Sequence, residues 1–550
     1  MKREGKKVVR KSWIFLTLLF LLAITVSCSK DESTSSDDNN QEQGVSGTIE
    51  ITIGKAGNLD SDLPNGDTVE DNEYTRFLEE ELNVDYTLAY QGSSQDIEQK
   101  NSLAIASGDI PDVMVVDKTQ LTQLVEADLI EDMTDAFNNA VSDDLRSAFE
   151  DTGDYGLEQA TYDERLMAIP NINPGADGIN LLWVREDWLD QLNLEKPETI
   201  EDIIEVAKAF KEQDPDQNGN DDTVGLPGSQ DIVNIGNSLF GFDTIFSYFN
   251  AYPEMWIKDE NGDVVYGSIQ PETKEALGKL RDMYEEGVFE SEFGVKKPED
   301  SEELVVSGKT GIIFYPWWAP FSVLRSQLEQ DPKAEWTALS APKNTQGTMN
   351  THMTAPSSSY LVVKKGFEKP EVIVETLNYQ FDIDQVQGDG YGFYEDVEDM
   401  GFNWANMPFS LLLSRYDDKE VKAAQVRDVI EGNASADDLM GEPKKVYEDY
   451  LINQENPKKD LSAWARANAF LSGADVINKT DVNKIQGVFY GQTETMEKRW
   501  ANLQTMEDEV FLQIILGSEP LDYFDEFVSK WKSQGGDTIT KEVSQIVNGE

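Results

Sequence analysis

The densest run of possible metal ligands in the chain is Asp214-Pro-Asp-Gln-Asn-Gly-Asn-Asp-Asp-Thr223. Oxygen side chains stand at alternate positions, from Asp214, Asp216, Asn218, Asn220 and Asp222, with Gly219 at the turn. Alternate oxygens can converge on one hard cation, and glycine at the sixth position allows the sharp bend, as at the start of an EF-hand loop. The position where an EF-hand carries its closing Glu is Gly225, and no helix signal follows. An acidic surface turn in an acidic protein accounts for the same residues without a metal. Aromatic chemistry forms a second group. Tyr315-Pro-Trp317-Trp318-Ala-Pro320 directly follows an apolar run, and two adjacent Trp cannot both point inward from one strand. At least one is therefore available to offer a flat aromatic face to a ligand; core packing of one and lobe packing of the other is the alternative. Gly401-Phe-Asn403-Trp404-Ala-Asn406 joins an aromatic to two amides in a loop, or is an ordinary surface loop. Asn58, Asp60 and Asp117 lie at ends of expected strands, where α/β folds place ligands.

Composition removes much of the remaining chemistry. The 550 residues hold one Cys and one His, which excludes an intrachain disulfide framework, Cys-based zinc sites and multi-His metal sites. A Ser-His-Asp triad would have to use His352, read here as exposed in a hinge loop. With 105 acidic and 46 basic residues the net charge is −59, a field that repels nucleic-acid phosphates. Carboxylate pairs carry no signal among so many acids. Arg185 could reach an acidic sugar, but an ion pair around Asp187 is the expected use.

The elements that must position these residues are legible in part. Lys2, Arg3, Lys6, Lys7, Arg10 and Lys11 precede an apolar run from Trp13 to Val26, too short for a transmembrane helix and laid out as a secretory signal. The sole Cys follows at Cys28, after Thr25-Val26-Ser27. This resembles a lipobox, in which cleavage precedes a Cys that carries diacylglycerol; Thr25 stands where the pattern favours Leu. Removing residues 1–27 takes away six basic residues and one acid, so the net charge becomes −64. Residues 28–47, rich in Ser, Asp, Asn and Gln, read as a disordered tether. Ile49, Ile51 and Ile53 alternate as in a strand, a helix reads over Ile97–Ala106, and Ile110–Asp117 is an apolar strand suited to a parallel sheet. Leu181–Val184, Gly311–Tyr315 and Tyr360–Val363 are further strands. Thr199 caps a helix with an apolar stripe of Ile200, Ile203, Ile204, Ala207 and Phe210. From about Pro443 the pattern is mainly helical.

Several segments in order resemble the extracellular solute-binding proteins of carbohydrate ABC importers: Ala106-Ser-Gly-Asp-Ile-Pro-Asp-Val113, Ala168-Ile-Pro170, Leu182-Trp-Val-Arg-Glu-Asp-Trp188 and Gly308-Lys-Thr-Gly311. Phe527–Gln545 is similar too. The resemblance is to the LipO/LplA type of lipoprotein, related to alginate-binding proteins, and covers nearly all of residues 48–550. It implies an α/β, two-lobe periplasmic-binding-protein-like (type II) fold with hinge crossovers and a helical C-terminal part. Lobe 1 is expected over about 48–170 plus 355–440, and lobe 2 over about 180–340 plus the C-terminal helices. Crossovers are expected near Ile169–Asn180 and Ser340–Ser359. It also implies a structural calcium loop at Asp214–Thr223, with Asn220 giving its backbone oxygen and Thr223 standing where relatives have an acid. The expected protein is a monomeric, lipid-anchored receptor on the extracytoplasmic face. It takes an oligosaccharide between its lobes and passes it to an ABC permease, with no catalysis and no nucleic acid. A secreted polysaccharide hydrolase or lyase, and a surface adhesion or sensing module, are the alternatives.

Overall fold

Thr52 ties an inner strand of the first sheet to the Pro-Asp-Val segment. The Asp112 carboxylate accepts from the Thr52 backbone N–H (2.9 Å) and hydroxyl (2.6 Å), and the Asp112 N–H donates back to Thr52 Oγ1 (3.0 Å). On either side of Thr52, Ile51 and Ile53 enter the core. The structure is a computed structural model and describes residues 47–56, 67–234, 239–344, 346–385 and 407–549. The body Thr48–Glu550 forms one unit.

In the first lobe, strand Ile49–Ala56 runs parallel to Val84–Gly92 on one side and Val113–Val116 on the other. Tyr360–Val363 then pairs antiparallel with both Val113–Val116 and Ile169–Pro170. The last strands thus come from distant parts of the sequence. Leu78, Leu121, Leu124, Ile373 and Leu377 from helices complete this core.

The second lobe is built on strand Asn180–Arg185, antiparallel to Ile312–Pro316 and to Trp336–Leu339. All six residues of the strand are buried. Alternation along the pleat sends them to two different cores. Leu182 and Val184, with Ile312 and Phe314, face helix Ile200–Glu212 and the C-terminal residues Phe511, Phe527 and Trp531. Leu181 and Trp183, with Ile313 and Tyr315, face Val426, Trp464 and Phe470. Burial on both faces explains why the strand reads as an unbroken apolar run. The helix Ile200–Glu212 starts as its sequence requires: Thr199 Oγ1 accepts from Asp202 N–H (3.2 Å) and Asp202 returns a bond to Thr199 N–H (2.9 Å). Beyond Gly441 the described chain is mainly helical, with Glu494–Ile515 the longest segment.

The chain passes between lobes three times, and the three passages touch. Asn171–Gly175 leads out, Ala355–Ser359 leads back, and Leu412–Tyr416 leads out again. Ile172 N–H donates to Leu412 O (2.9 Å), Asn173 N–H to Pro356 O (2.8 Å) and Gly175 N–H to Tyr416 O (2.7 Å). Gly175 lets the passages approach closely: a Cβ here would stand 2.9 Å from the Tyr416 ring and push it aside. The third passage is a difference from the sequence reading, which carried lobe 1 to about 440. Helix Asp418–Glu431 packs through Ala423, Val426 and Val429 into the second-lobe core, so the return falls before it.

Buried Asn171 organises the junction. Its Oδ1 accepts from Ser358 N–H (2.8 Å) and Ser359 N–H (2.9 Å), and its carbonyl accepts from the Ser357 hydroxyl (2.6 Å). Asn171→Ala strands both N–H groups and is expected to cost about 1–2 kcal/mol of stability in urea unfolding. Asn171→Asp, which keeps the acceptor, should lose less; equal stability of the Ala variant and the parent would refute this role.

Candidate ligand-binding site

Aromatic and amide side chains from both lobes gather at the passages. Tyr155 comes from the short helix Tyr155–Ala160 of the first lobe. Its ring meets that of Tyr490 edge-on, with centroids 5.1 Å apart. Gln486 donates through Nε2 to Tyr490 Oη (2.5 Å) and Thr354 O (3.2 Å), and its Oε1 accepts from Tyr416 Oη (3.3 Å). Gly487 N–H also donates to Tyr490 Oη (2.8 Å). Burial pushes the Tyr490 phenol up to about 12 and raises that of Tyr155, so these rings act as neutral donors and acceptors. Tyr155, Tyr416, Gln486 and Tyr490 are all half-buried, which leaves part of each surface open. Planar amides that pair with hydroxyls, beside aromatic faces, suit a polyhydroxy ligand.

The tryptophan pair divides. Trp317 is only 5% exposed and belongs to the core, with its ring edge-on to Phe470 at 5.0 Å. Its Nε1 donates to Asp177 (2.8 Å), whose carboxyl burial pushes above its usual range. Trp318 remains half-buried, with its ring 4.9 Å from that of Tyr315. Next to Trp317, the landing of the third passage is pinned by charge. Buried Asp418 pairs with Lys419 (2.8 Å) and Lys422 (2.9 Å), and Glu442 also reaches both, at 3.4 and 3.1 Å.

The other sequence candidates fall in several places. Asp117 is the N-cap of helix Lys118–Glu126, its carboxylate accepting from Gln120 N–H (2.8 Å). Asn58, Asp60, Asn403 and Trp404 lie outside the described residues, as does Cys28. His352 is a correction: it is buried on strand Met349–His352 and faces Asp243, and burial lowers its pKa. Arg185 is structural. It holds Asp187 through two bonds (2.7 and 2.6 Å), reaches Asp331 (3.3 Å) and lies 4.7 Å over the Trp188 ring. Reasoning from sequence missed Tyr155, Tyr416, Gln486 and Tyr490, because nothing local marks residues that meet only through the passages. It also missed Lys55, a buried residue whose Nζ donates to Met407 O and whose pKa burial lowers to about 7.

The acidic loop has a definite shape. Gly219 sits at φ 76°, in the left-handed region, and its N–H donates to Asp214 Oδ2 (3.1 Å). Asn218 Nδ2 lies between Asp216 (2.7 Å) and Asp222 (2.9 Å), and its Oδ1 accepts from Asn220 N–H (2.6 Å). Buried Asp214 Oδ1 has no hydrogen-bond partner. Burial, together with Asp214 and Asp222, raises the Asp216 carboxyl. Among the described residues, no three His, Cys, Asp or Glu side chains already stand as a metal cluster. Thr223 turns away to donate to Phe210 O (2.9 Å). At Gly225 a Cβ would fall 2.3 Å from Val288 O, so no closing Glu fits there.

Two lobes joined by three passages, with a polar and aromatic cluster between them, define a binding protein built to close on a ligand. The chain belongs to the bacterial extracellular solute-binding proteins, whose family it matches over residues 65–382. It works by binding a solute, not by catalysis. It is similar to the lipoprotein LipO of Bacillus subtilis (strain 168), at 23% identity over 557 residues and 98% of each chain. It is also similar to the fructooligosaccharide ABC transporter substrate-binding protein FusA of Streptococcus pneumoniae serotype 4, at 28% identity over 302 residues, 52% of this chain and 53% of that one. Among solved structures, the alginate-binding protein AlgQ2 without calcium ion shares the fold, with a TM-score of 0.56 and 16% identity across 92% of this chain and 99% of that one.

Proposed function

We propose that this protein is a monomeric, lipid-anchored receptor that binds a neutral oligosaccharide between its lobes and delivers it to an ABC permease. The observation that carries the reading is the half-buried Tyr155, Tyr416, Gln486 and Tyr490 cluster at the lobe passages. Trp318, with one face against Tyr315, supplies a stacking surface. The similarity to a fructooligosaccharide-binding protein supports the ligand class. A net charge of −59 disfavours polyanionic sugars. Ligand binding favours the closed arrangement, and closure is what the permease recognises.

The Asp214–Asp222 loop is proposed as a structural calcium site. Asp214, Asp216 and Asp222, the Asn218 amide oxygen and the Asn220 carbonyl supply hard oxygen donors. The unpartnered Asp214 oxygen and the raised Asp216 carboxyl support this, since a cation relieves both. Bound calcium neutralises the clustered charge and fixes the loop behind helix Ile200–Glu212. The anchor is proposed at Cys28, with residues 29–47 as the tether.

Three measurements check these readings. In a thermal-shift and calorimetric panel, a neutral oligosaccharide should raise the melting temperature at one-to-one stoichiometry. Trp318→Ala and Tyr490→Ala should each weaken it about tenfold, or about 1.4 kcal/mol. No response to any sugar would redirect the reading toward other small solutes. Calcium should raise the melting temperature of the parent and EDTA reverse it, while Asp214→Ala should be indifferent to both; a parent that ignores calcium defeats the metal assignment. Cys28→Ala should move from the membrane to the soluble fraction, and retention as firm as the parent's would refute the anchor.

A further inference from the structure

The second lobe carries a groove of about 780 Å³ that is separate from the passages. It lies among the end of helix Asp243–Tyr248, the hairpin Trp256–Tyr266, the loop at Asn344 and strand Val482–Ile485. That strand separates the two places. Asn483 and Ile485 line the groove, whereas Lys484, which lies 6.0 Å over the Tyr416 ring, and Gln486 serve the passage cluster. Alternation along a strand sends these two sets to opposite faces.

A buried amide sets the polarity of the groove wall. Asn350 donates through Nδ2 to Asn250 Oδ1 (2.8 Å), and its Oδ1 accepts from Asn483 Nδ2 (3.0 Å). Asn350 is 5% exposed, while Asn250 and Asn483 are exposed. The ladder leaves Asn250 with its Nδ2 donor and Asn483 with its Oδ1 acceptor. One donor and one acceptor held by a common buried amide match neighbouring hydroxyls, each of which can both accept and donate. A second donor comes from Asn344, whose Oδ1 is taken by Gln346 N–H (2.9 Å) and Thr348 N–H (3.1 Å). Ring surface is supplied by Tyr248 and Phe249, half-buried and edge-on to each other at 5.0 Å. Asp259, Glu260, Glu272 and Glu275 line the groove against Lys258 alone, which selects against anionic sugars.

We infer that this groove is a second carbohydrate site, specific for neutral glycans and independent of the site between the lobes. It would hold a glycan chain at the receptor surface while the passage site takes the transported oligosaccharide.

Native gels cast with soluble neutral polysaccharides (amylose, inulin, xylan, galactomannan) test the assignment, with alginate and polygalacturonate as anionic probes. The parent should be retarded by at least one neutral polymer and by neither anionic one. Phe249→Ala/Asn483→Ala should run at its unretarded mobility yet keep the thermal shift with the transported oligosaccharide. Trp318→Ala should remain retarded, which separates failure of the passage site from failure of the groove. Asn344→Ala, outside the amide ladder, should lose at least half of the retardation and decides the matter if the double variant fails to fold. The proposal is overturned if no neutral polymer retards the parent, if anionic polymers retard it equally, or if the groove variants run like the parent.

Discussion

Three strands of chain must pass one another where the lobes meet, and their backbones satisfy each other there. Ile172, Asn173 and Gly175 donate in turn to Leu412, Pro356 and Tyr416, and the Asn171 side chain closes the remaining gap toward Ser358 and Ser359. A backbone buried this way has few alternatives, because each unpaired polar group costs free energy. The consequence is a joint with a fixed centre. Any movement of the lobes must be absorbed by the few residues of the passages. Tyr155, Tyr416, Gln486 and Tyr490 surround that centre, so a ligand bound there, as proposed, would touch both lobes.

Local chemistry was legible in the sequence wherever a short-range rule governs it. Thr199 and Asp202 form the expected reciprocal cap, and Tyr360–Val363 is a strand as its apolar run predicts. The pairing of Trp317 with Trp318 divided as two adjacent side chains must, one inward and one partly open. What the sequence could not disclose depends on distant contacts. The third passage was missed because helix Asp418–Glu431 buries charged Asp418, Glu420 and Lys422 beside its apolar residues, so its polar pattern resembles a surface helix. His352 was read as exposed because its loop is rich in Asn, Thr and Pro; pairing of its strand with Val482–Ile485 buries it. The passage cluster draws on residues more than three hundred positions apart, and no periodicity records that.

The acidic loop shows how far a motif can be carried by spacing. Alternating oxygens and Gly219 produce the turn, and the side chains do gather. The missing closing Glu has a steric cause, since Val288 O occupies the space beside Gly225. Any affinity the loop has for a cation must come from its first nine positions.

Strand Asn180–Arg185 carries a consequence for how the molecule is made. Each of its faces is completed by segments from the C-terminal part of the chain, added to earlier helices such as Ile200–Glu212 and Val323–Gln330: residues around 426–470 on one side and 511–531 on the other. Until they arrive, only the earlier helices cover the strand and its two neighbours, and both cores stay incomplete. Such long-range closure is slow and exposes sticky surface. The second lobe therefore completes its cores only with these segments, and a truncation near residue 470 removes one wall of a core rather than trimming a tail.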